Sequence, residues 1–210
     1  MYKRQGQALR NQLGQDRPVF LAASTRDGEE AIILTAIHAA KIPHLLTVIV
    51  PRHPQRFDEV ANLLKKNGLQ FERRSTLTST SLEPVLPSVN FVLGDSMGEM
   101  FSYYAACDVA FIGGSLLPLG GQNLIEASAL GKPVLIGPYT FNFEQATELA
   151  ISAGAARRVQ DGEDLVDALQ TLFADHGLQQ QMSAAALRFS EYSRGATLRT
   201  MVLIAAYIKA

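Results

Sequence analysis

Val19-Phe-Leu-Ala-Ala23, followed at once by Ser24-Thr-Arg-Asp-Gly-Glu-Glu30 and a helical pattern ending near Lys41, decides the architecture of this chain. A short apolar run stops at polar, cap-forming residues and a helix opens, giving a strand, a loop and a helix. The unit recurs. Leu45-Leu-Thr-Val-Ile-Val50 is rich in β-branched residues, closes at Pro51, and precedes a helical stretch at Arg56–Asn67 that Gly68 ends as a C-cap. Gln70–Arg74, Asn90–Leu93, Val109–Ile112, Val134–Ile136 and Ala156–Val159 supply further strands, with helical patterns between most of them. The exception is Ser75–Ser88, whose Ser, Thr and Pro content predicts a loop. Strands that are apolar throughout, separated by helices, belong in a parallel sheet covered on both faces. The fold class is therefore α/β, a doubly wound parallel sheet in one Rossmann-like domain. Ligands of such sheets bind beyond the carboxyl ends of the strands, near the switch in strand order.

Outward from this frame, residues 1–17 are polar except for Ala8, Leu9 and Leu13, whose helical spacing predicts a short amphipathic linker helix. The domain then spans 18–194, and 195–210 forms a carboxyl-terminal helix. After Gly162 the chain turns wholly helical, near Glu163–Phe173, Leu178–Tyr192 and Ala196–Lys209. Balanced charge, with 19 basic against 20 acidic residues, offers no broad field to recruit nucleic acid or an anionic membrane, so any anion site must be local. The single cysteine, Cys107, excludes a disulfide framework and a CxxC metal cage and reads as a small buried hydrophobe. No apolar run reaches the roughly 18–20 residues of a membrane helix, and the first residues lack the apolar centre of a signal peptide. There is no H-E-x-x-H and the four histidines are scattered, so neither a protein-bound metal nor another cofactor is expected.

Four loops could carry chemistry. Phe111-Ile-Gly-Gly-Ser-Leu-Leu-Pro-Leu-Gly120-Gly121-Gln122-Asn123-Leu-Ile-Glu126 runs from a strand through four glycines into a helix expected to begin near Asn123. Glycines let the backbone approach a ligand, and a helix start favours an anion such as phosphate. Glu126, one turn on, could accept from both hydroxyls of a ribose; alternatively Asn123 and Glu126 merely cap the helix. Gly94-Asp-Ser-Met-Gly98-Glu99 also follows a strand. Ser96 and Glu99 fit a capping box, and Gly94 to Gly98 also spell G-x-S-x-G, the nucleophile elbow of a serine hydrolase. Asp161 or Asp167 and His176 would complete a triad, though His176 lies between helices rather than after a late strand. Pro51-Arg52-His-Pro-Gln-Arg56 places cations beyond a strand, where Arg52 could bind phosphate or carboxylate bidentately. In Ser24–Glu30, hydroxyls and a cation meet a helix start, with Asp27 and Glu30 at capping spacing. A phosphate loop of the G-x-x-x-x-G-K-[ST] type and a clean G-x-G-x-x-G are both lacking.

Together with Asp108-Val-Ala-Phe-Ile-Gly-Gly-Ser115 and Gly137-Pro-Tyr-Thr-Phe-Asn-Phe143, these segments resemble the 3-deoxy-D-manno-octulosonic acid (Kdo) transferases of lipopolysaccharide synthesis. The motifs run in unbroken order from about Gln7 to Leu198. The resemblance implies a GT-B glycosyltransferase, two Rossmann-like domains facing a cleft, that moves Kdo from CMP-Kdo to a lipid A precursor with inversion. It further implies that only the carboxyl half is present, with Met1 an internal start. That half binds CMP-Kdo or CMP and is soluble. The missing amino-terminal domain would supply the membrane segment, the acceptor surface and the general base, and hold the whole enzyme at the cytoplasmic face of the bacterial inner membrane. No catalytic residue is then expected here. On the matching positions, Arg52 contacts the donor, and Met97, Gly98 and Glu99 face the nucleotide. Gly120 and Gly121 lie at the phosphate, while Asn123 and Glu126 hold phosphate, sugar or ribose hydroxyls. Ser24, Arg26, Gly28 and Glu29 would line the cleft side toward the missing half. Gln122 and Leu124 depart from the family's usual histidine and proline, so no histidine role transfers. A sugar-nucleotide epimerase of the same architecture remains the other alternative.

Overall fold

The computed structural model describes residues 2–77 and 84–194, with residues 201 and 204. Seven parallel strands form one sheet in the order β3-β4-β2-β1-β5-β6-β7. They are β1 (Val19–Thr25), β2 (Leu46–Pro51), β3 (Phe71–Arg73), β4 (Phe91–Leu93), β5 (Val109–Ile112), β6 (Val134–Ile136) and β7 (Ala156–Arg158). The chain winds outward from β1 through β2, then returns to β5 on the other side of β1, so the switch lies between β1 and β5. Alternation along β1 shows why the strands are apolar on both sides. Val19, Leu21 and Ala23 enter one core layer, while Phe20 and Ala22 enter the other. The first layer is covered by α1 (Tyr2–Leu13), α4 (Met100–Ala106), α5 (Ile125–Ala129) and α6 (Glu144–Ser152). The second lies under α2 (Glu29–Ala40), α3 (Phe57–Lys66) and α7 (Gly162–Ala174), and α8 (His176–Arg194) contributes to both.

Leu9 and Leu13 of α1 are buried in the first layer, and Arg10 reaches the Asp108 carboxylate at 3.0 Å and the carbonyl of Ala106 at 2.9 Å. Cys107 is buried, and its thiol pKa is pushed up to about 12 by loss of solvent. The expected loop Ser75–Ser88 opens with a 3-10 turn at Arg74–Thr76, and 78–83 lie outside the described residues. The helix expected at Ala196–Lys209 also lies outside them, except for Met201 and Ile204, which are helical. Two helix starts differ from expectation. α5 begins at Ile125 because the Asn123 side-chain oxygen accepts from the Ile125 N–H at 2.9 Å, an Asx turn ahead of the helix. α4 begins at Met100, too late for Ser96 to cap it, and the Ser96 hydroxyl instead donates to the Glu99 carboxylate.

Candidate functional site

Loops following β1, β2, β4 and β5 converge at the carboxyl edge of the sheet around a cavity of about 250 Å³. Ser24 comes from the end of β1, Pro51 and Arg52 from the end of β2 and the residue after it, Ser96, Met97 and Gly98 from the loop after β4, Gln122 and Asn123 from the loop after β5, and Glu126 from the first turn of α5. Met100, Tyr103 and Tyr104 of α4 complete the wall. Ser24 adopts a left-handed φ of 55° where β1 slips register against β2, a strained backbone of the kind found at ligand sites. Gly113 lies so close to it that a Cβ would meet the Ser24 carbonyl oxygen at 2.4 Å. Asn123 donates to Glu126 at 3.3 Å, leaving that carboxylate capacity for further donors. The Tyr103 hydroxyl shares a 2.8 Å hydrogen bond with Ser96, and burial drives its pKa well above the ordinary phenol value.

Behind this wall lies a second layer of charge. Arg74 donates to Glu99 at 2.9 Å, Arg73 reaches Asp95 at 3.3 Å, and the Ser75 N–H and hydroxyl also bond Asp95. The loop after β4 is therefore fixed by the end of β3. Arg56 spans Glu30 at 2.6 Å, Asp27 at 3.1 Å and Glu59 at 3.2 Å. Among the described residues, neither Arg26 nor Arg52 forms an ion pair, so two guanidiniums at the carboxyl edge remain uncommitted.

Of the residues singled out from sequence, Ser24, Arg52, Met97, Gly98, Asn123 and Glu126 line one cavity. Glu99 lies behind it, held by Arg74 and Ser96. Gly120 and Gly121 shape the loop that delivers Gln122 and Asn123. Both have positive φ, Gly121 donates to the Gly114 carbonyl at 2.7 Å, and a Cβ on Gly120 would strike the Asn142 side chain. Gly28 is the left-handed residue before α2, Arg26 passes over Gly114, and Glu29 is fully enclosed, bonded to backbone rather than open to the cleft. Glu30 and Asp27 do not cap α2; both are taken by Arg56. Gln122, Tyr103, Tyr104 and the supporting Arg74 were missed as site residues. Their signal was weak: adjacent arginines at a strand end and two tyrosines in the first turns of the following helix.

The hydrolase alternative fails on geometry. The Ser96 hydroxyl is engaged with Glu99 and Tyr103 rather than a histidine, and Asp161 caps α7 by accepting from the N–H groups of Glu163 and Asp164.

No protein-family model matches the chain. A Bordetella pertussis protein named 3-deoxy-D-manno-octulosonic acid transferase is 49% identical over 190 residues, covering 88% of this chain and 44% of the relative. The crystal structure of the C-terminal CMP-Kdo binding domain of WaaA from Acinetobacter baumannii superposes with a TM-score of 0.82 at 34% identity, covering 90% of this chain and 97% of that one. The chain belongs to the Kdo transferase family. Its sheet also matches one half of Anabaena HepE, solved in complex with UDP and glucose, with a TM-score of 0.66 at 19% identity over 52% of that chain, a likeness of fold. The Kdo transferase relatives are longer. This chain spans about half their length, 44% and 47% in two of them. It matches the part of the family that, in the A. baumannii protein, is the C-terminal CMP-Kdo binding domain, and neither the hydrolase nor the epimerase reading finds support among these relatives.

Proposed function

We propose that this chain is the CMP-Kdo-binding half of an inverting glycosyltransferase that transfers Kdo to a lipid A precursor. The observation that carries the reading is the convergence of Arg52, Asn123 and Glu126 on one cavity at the carboxyl edge, with the uncommitted Arg26 passing over Gly114 of the loop that delivers Asn123. A CMP-sugar of this kind presents two anions, the phosphate and the Kdo carboxylate. Two guanidiniums suit them, because charge-assisted bidentate pairs are the strongest hydrogen bonds available to such groups. Glu126, oriented by Asn123, suits the ribose hydroxyls. As the glycosidic bond to phosphate breaks, negative charge grows on the leaving CMP, and arginine held nearby stabilises it without reorganisation at that moment. Deprotonation of the acceptor hydroxyl, the acceptor surface and membrane attachment at the cytoplasmic face of the bacterial inner membrane fall to the amino-terminal half. No helix among the described residues is long and apolar enough to cross a membrane. The chain alone then binds CMP or CMP-Kdo and transfers nothing.

Calorimetric titration with CMP tests this. Binding at millimolar concentration or below is expected in the wild type and markedly weaker binding in Glu126→Ala. Absence of heat at millimolar CMP, or equal affinities in the two proteins, would overturn the site. Titration with UMP in parallel separates a cytidine site from a uridine one, and tighter binding of UMP would also overturn the reading.

A further inference from the structure

Two adjacent acids at the start of α2 bond two different segments that lead into the cavity lining. Each oxygen of the buried Glu29 carboxylate accepts two backbone N–H groups. Oε2 accepts from Arg26 at 2.8 Å and Gly114 at 2.6 Å, and Oε1 from Ser115 at 2.9 Å and Leu116 at 3.0 Å. The loop after β5 is thereby tied to the loop after β1. Gly114 in turn accepts from Gly121 at 2.7 Å, the residue preceding Gln122 and Asn123 in the cavity wall. Glu30, equally buried, works the other way. Its Oε1 accepts from the Thr25 hydroxyl at 2.8 Å and from Arg56 at 2.6 Å, in the same loop as Arg52. The Arg52 N–H itself donates to the Thr25 carbonyl at 2.9 Å.

We propose that Glu29 and Glu30 are positioning residues for the nucleotide: Glu29 sets the Gln122–Glu126 wall, and Glu30, through Arg56 and Thr25, sets Arg52. Neither touches the ligand. The inference rests on the donor-binding reading above. A carboxylate is suited to the first task because four convergent N–H donors match two oxygens, whereas a glutamine would turn its own donors against two of them. The competing account is that both acids only stabilise the start of a twelve-residue helix.

The test compares CMP affinity by calorimetry in the wild type, Glu29→Gln, Glu30→Gln and Arg56→Lys. A control, Asp161→Ala, removes the cap of α7, whose bonds go to Glu163 and Asp164 and to none of the loops around the cavity. All are titrated below their melting temperatures, with folding checked by near-ultraviolet circular dichroism. Losses of about tenfold, equivalent to about 1.4 kcal/mol, are expected for both glutamine variants. Arg56→Lys, which keeps the charge and loses the fork, is expected to fall between, and Asp161→Ala to bind as the wild type does. Wild-type affinity in the glutamine variants, or a loss in Asp161→Ala matching theirs at equal loss of stability, would overturn the proposal. If Glu29→Gln does not fold, the Glu30 and Arg56 variants decide by the same criteria. If the wild type does not bind CMP, the donor reading fails by itself, while amide NMR shifts still test the clamp. Gly114, Ser115 and Leu116 should move in Glu29→Gln and remain in place in Asp161→Ala; no movement in Glu29→Gln overturns the clamp.

Discussion

A carboxylate accepting four N–H groups is ordinarily a strong acid, yet the Glu29 pKa lies above the usual carboxylate value because burial outweighs those bonds. Its surroundings supply backbone donors rather than cations, so the charge that desolvation disfavours is only partly restored. The folded state then holds this proton more tightly than the unfolded chain. Stability contributed by the group is full below the unfolded pKa and declines as pH rises through the folded one. Nucleotide binding should run the other way, since the clamp needs both oxygens as acceptors. Measured as differences between wild type and Glu29→Gln, which cancel the titration of the phosphate, the melting-temperature advantage should shrink from mildly acid to neutral pH while the CMP-affinity advantage grows. Parallel trends would exclude this account. None of it was legible in the sequence. Capping spacing suggested Asp27 and Glu30 as caps and the motif suggested Glu29 as a cleft contact, but three of the four partners of Glu29 lie 85 to 87 residues away along the chain. Local pattern carries no information about which distant backbone a side chain will meet.

Strands were legible almost to the residue, because runs such as Val109–Ile112 and Val134–Ile136 are apolar on both faces and only a central parallel strand requires that. Helix starts were less so. Asn123 and Ser96 have cap-forming side chains, yet one forms a turn ahead of its helix and the other bonds an acid, since such side chains serve turns as readily as caps. The glycines divide in the same manner. At Gly113 a Cβ would stand 2.4 Å from the Ser24 carbonyl oxygen, and at Gly137 2.1 Å from that of Ser115. Those contacts are backbone against backbone and cannot relax by a rotamer change. Gly98 has open space around it and only a left-handed φ of 78° to maintain. Gly113→Ala and Gly137→Ala should each lose about 3 kcal/mol or more in denaturant unfolding, at or above the upper end of overpacking costs. Gly98→Ala should lose about 1 kcal/mol, the cost of a left-handed alanine. A Gly113→Ala variant as stable as Gly98→Ala would mean that β1 and the loop after β5 are not in register as described.

At the scale of the molecule, the chain is one parallel sheet with a cavity at its carboxyl edge. Its cavity opens at the switch between β1 and β5, where two outward windings diverge and leave room above the sheet. The opposite, amino-terminal edge is closed by α1. There Leu9 and Leu13 enter the core, Arg10 bonds the Asp108 carboxylate and the carbonyls of Ala106, Gln15 and Arg17, and the Gln12 carbonyl accepts from Val85. The polar composition of residues 1–17 suggested a linker, since three apolar positions in a short helix are too few to reveal what they pack against. Three arginine bonds to backbone carbonyls, together with two leucines no more than 2% exposed, predict that α1 unfolds together with the sheet. Leu13→Ala should therefore lower the stability of the whole domain by about 2–5 kcal/mol, the usual cost of emptying a buried leucine site. Unfolding should remain a single transition, and CMP affinity in the folded protein should not change, because the end of α1 that carries Leu13 is tied by Arg10 to the amino ends of β1 and β5, whereas the cavity lies at the carboxyl edge. If α1 were only a tether, the variant would unfold at the wild-type midpoint, and limited proteolysis would remove α1 without shifting the melt of what remains.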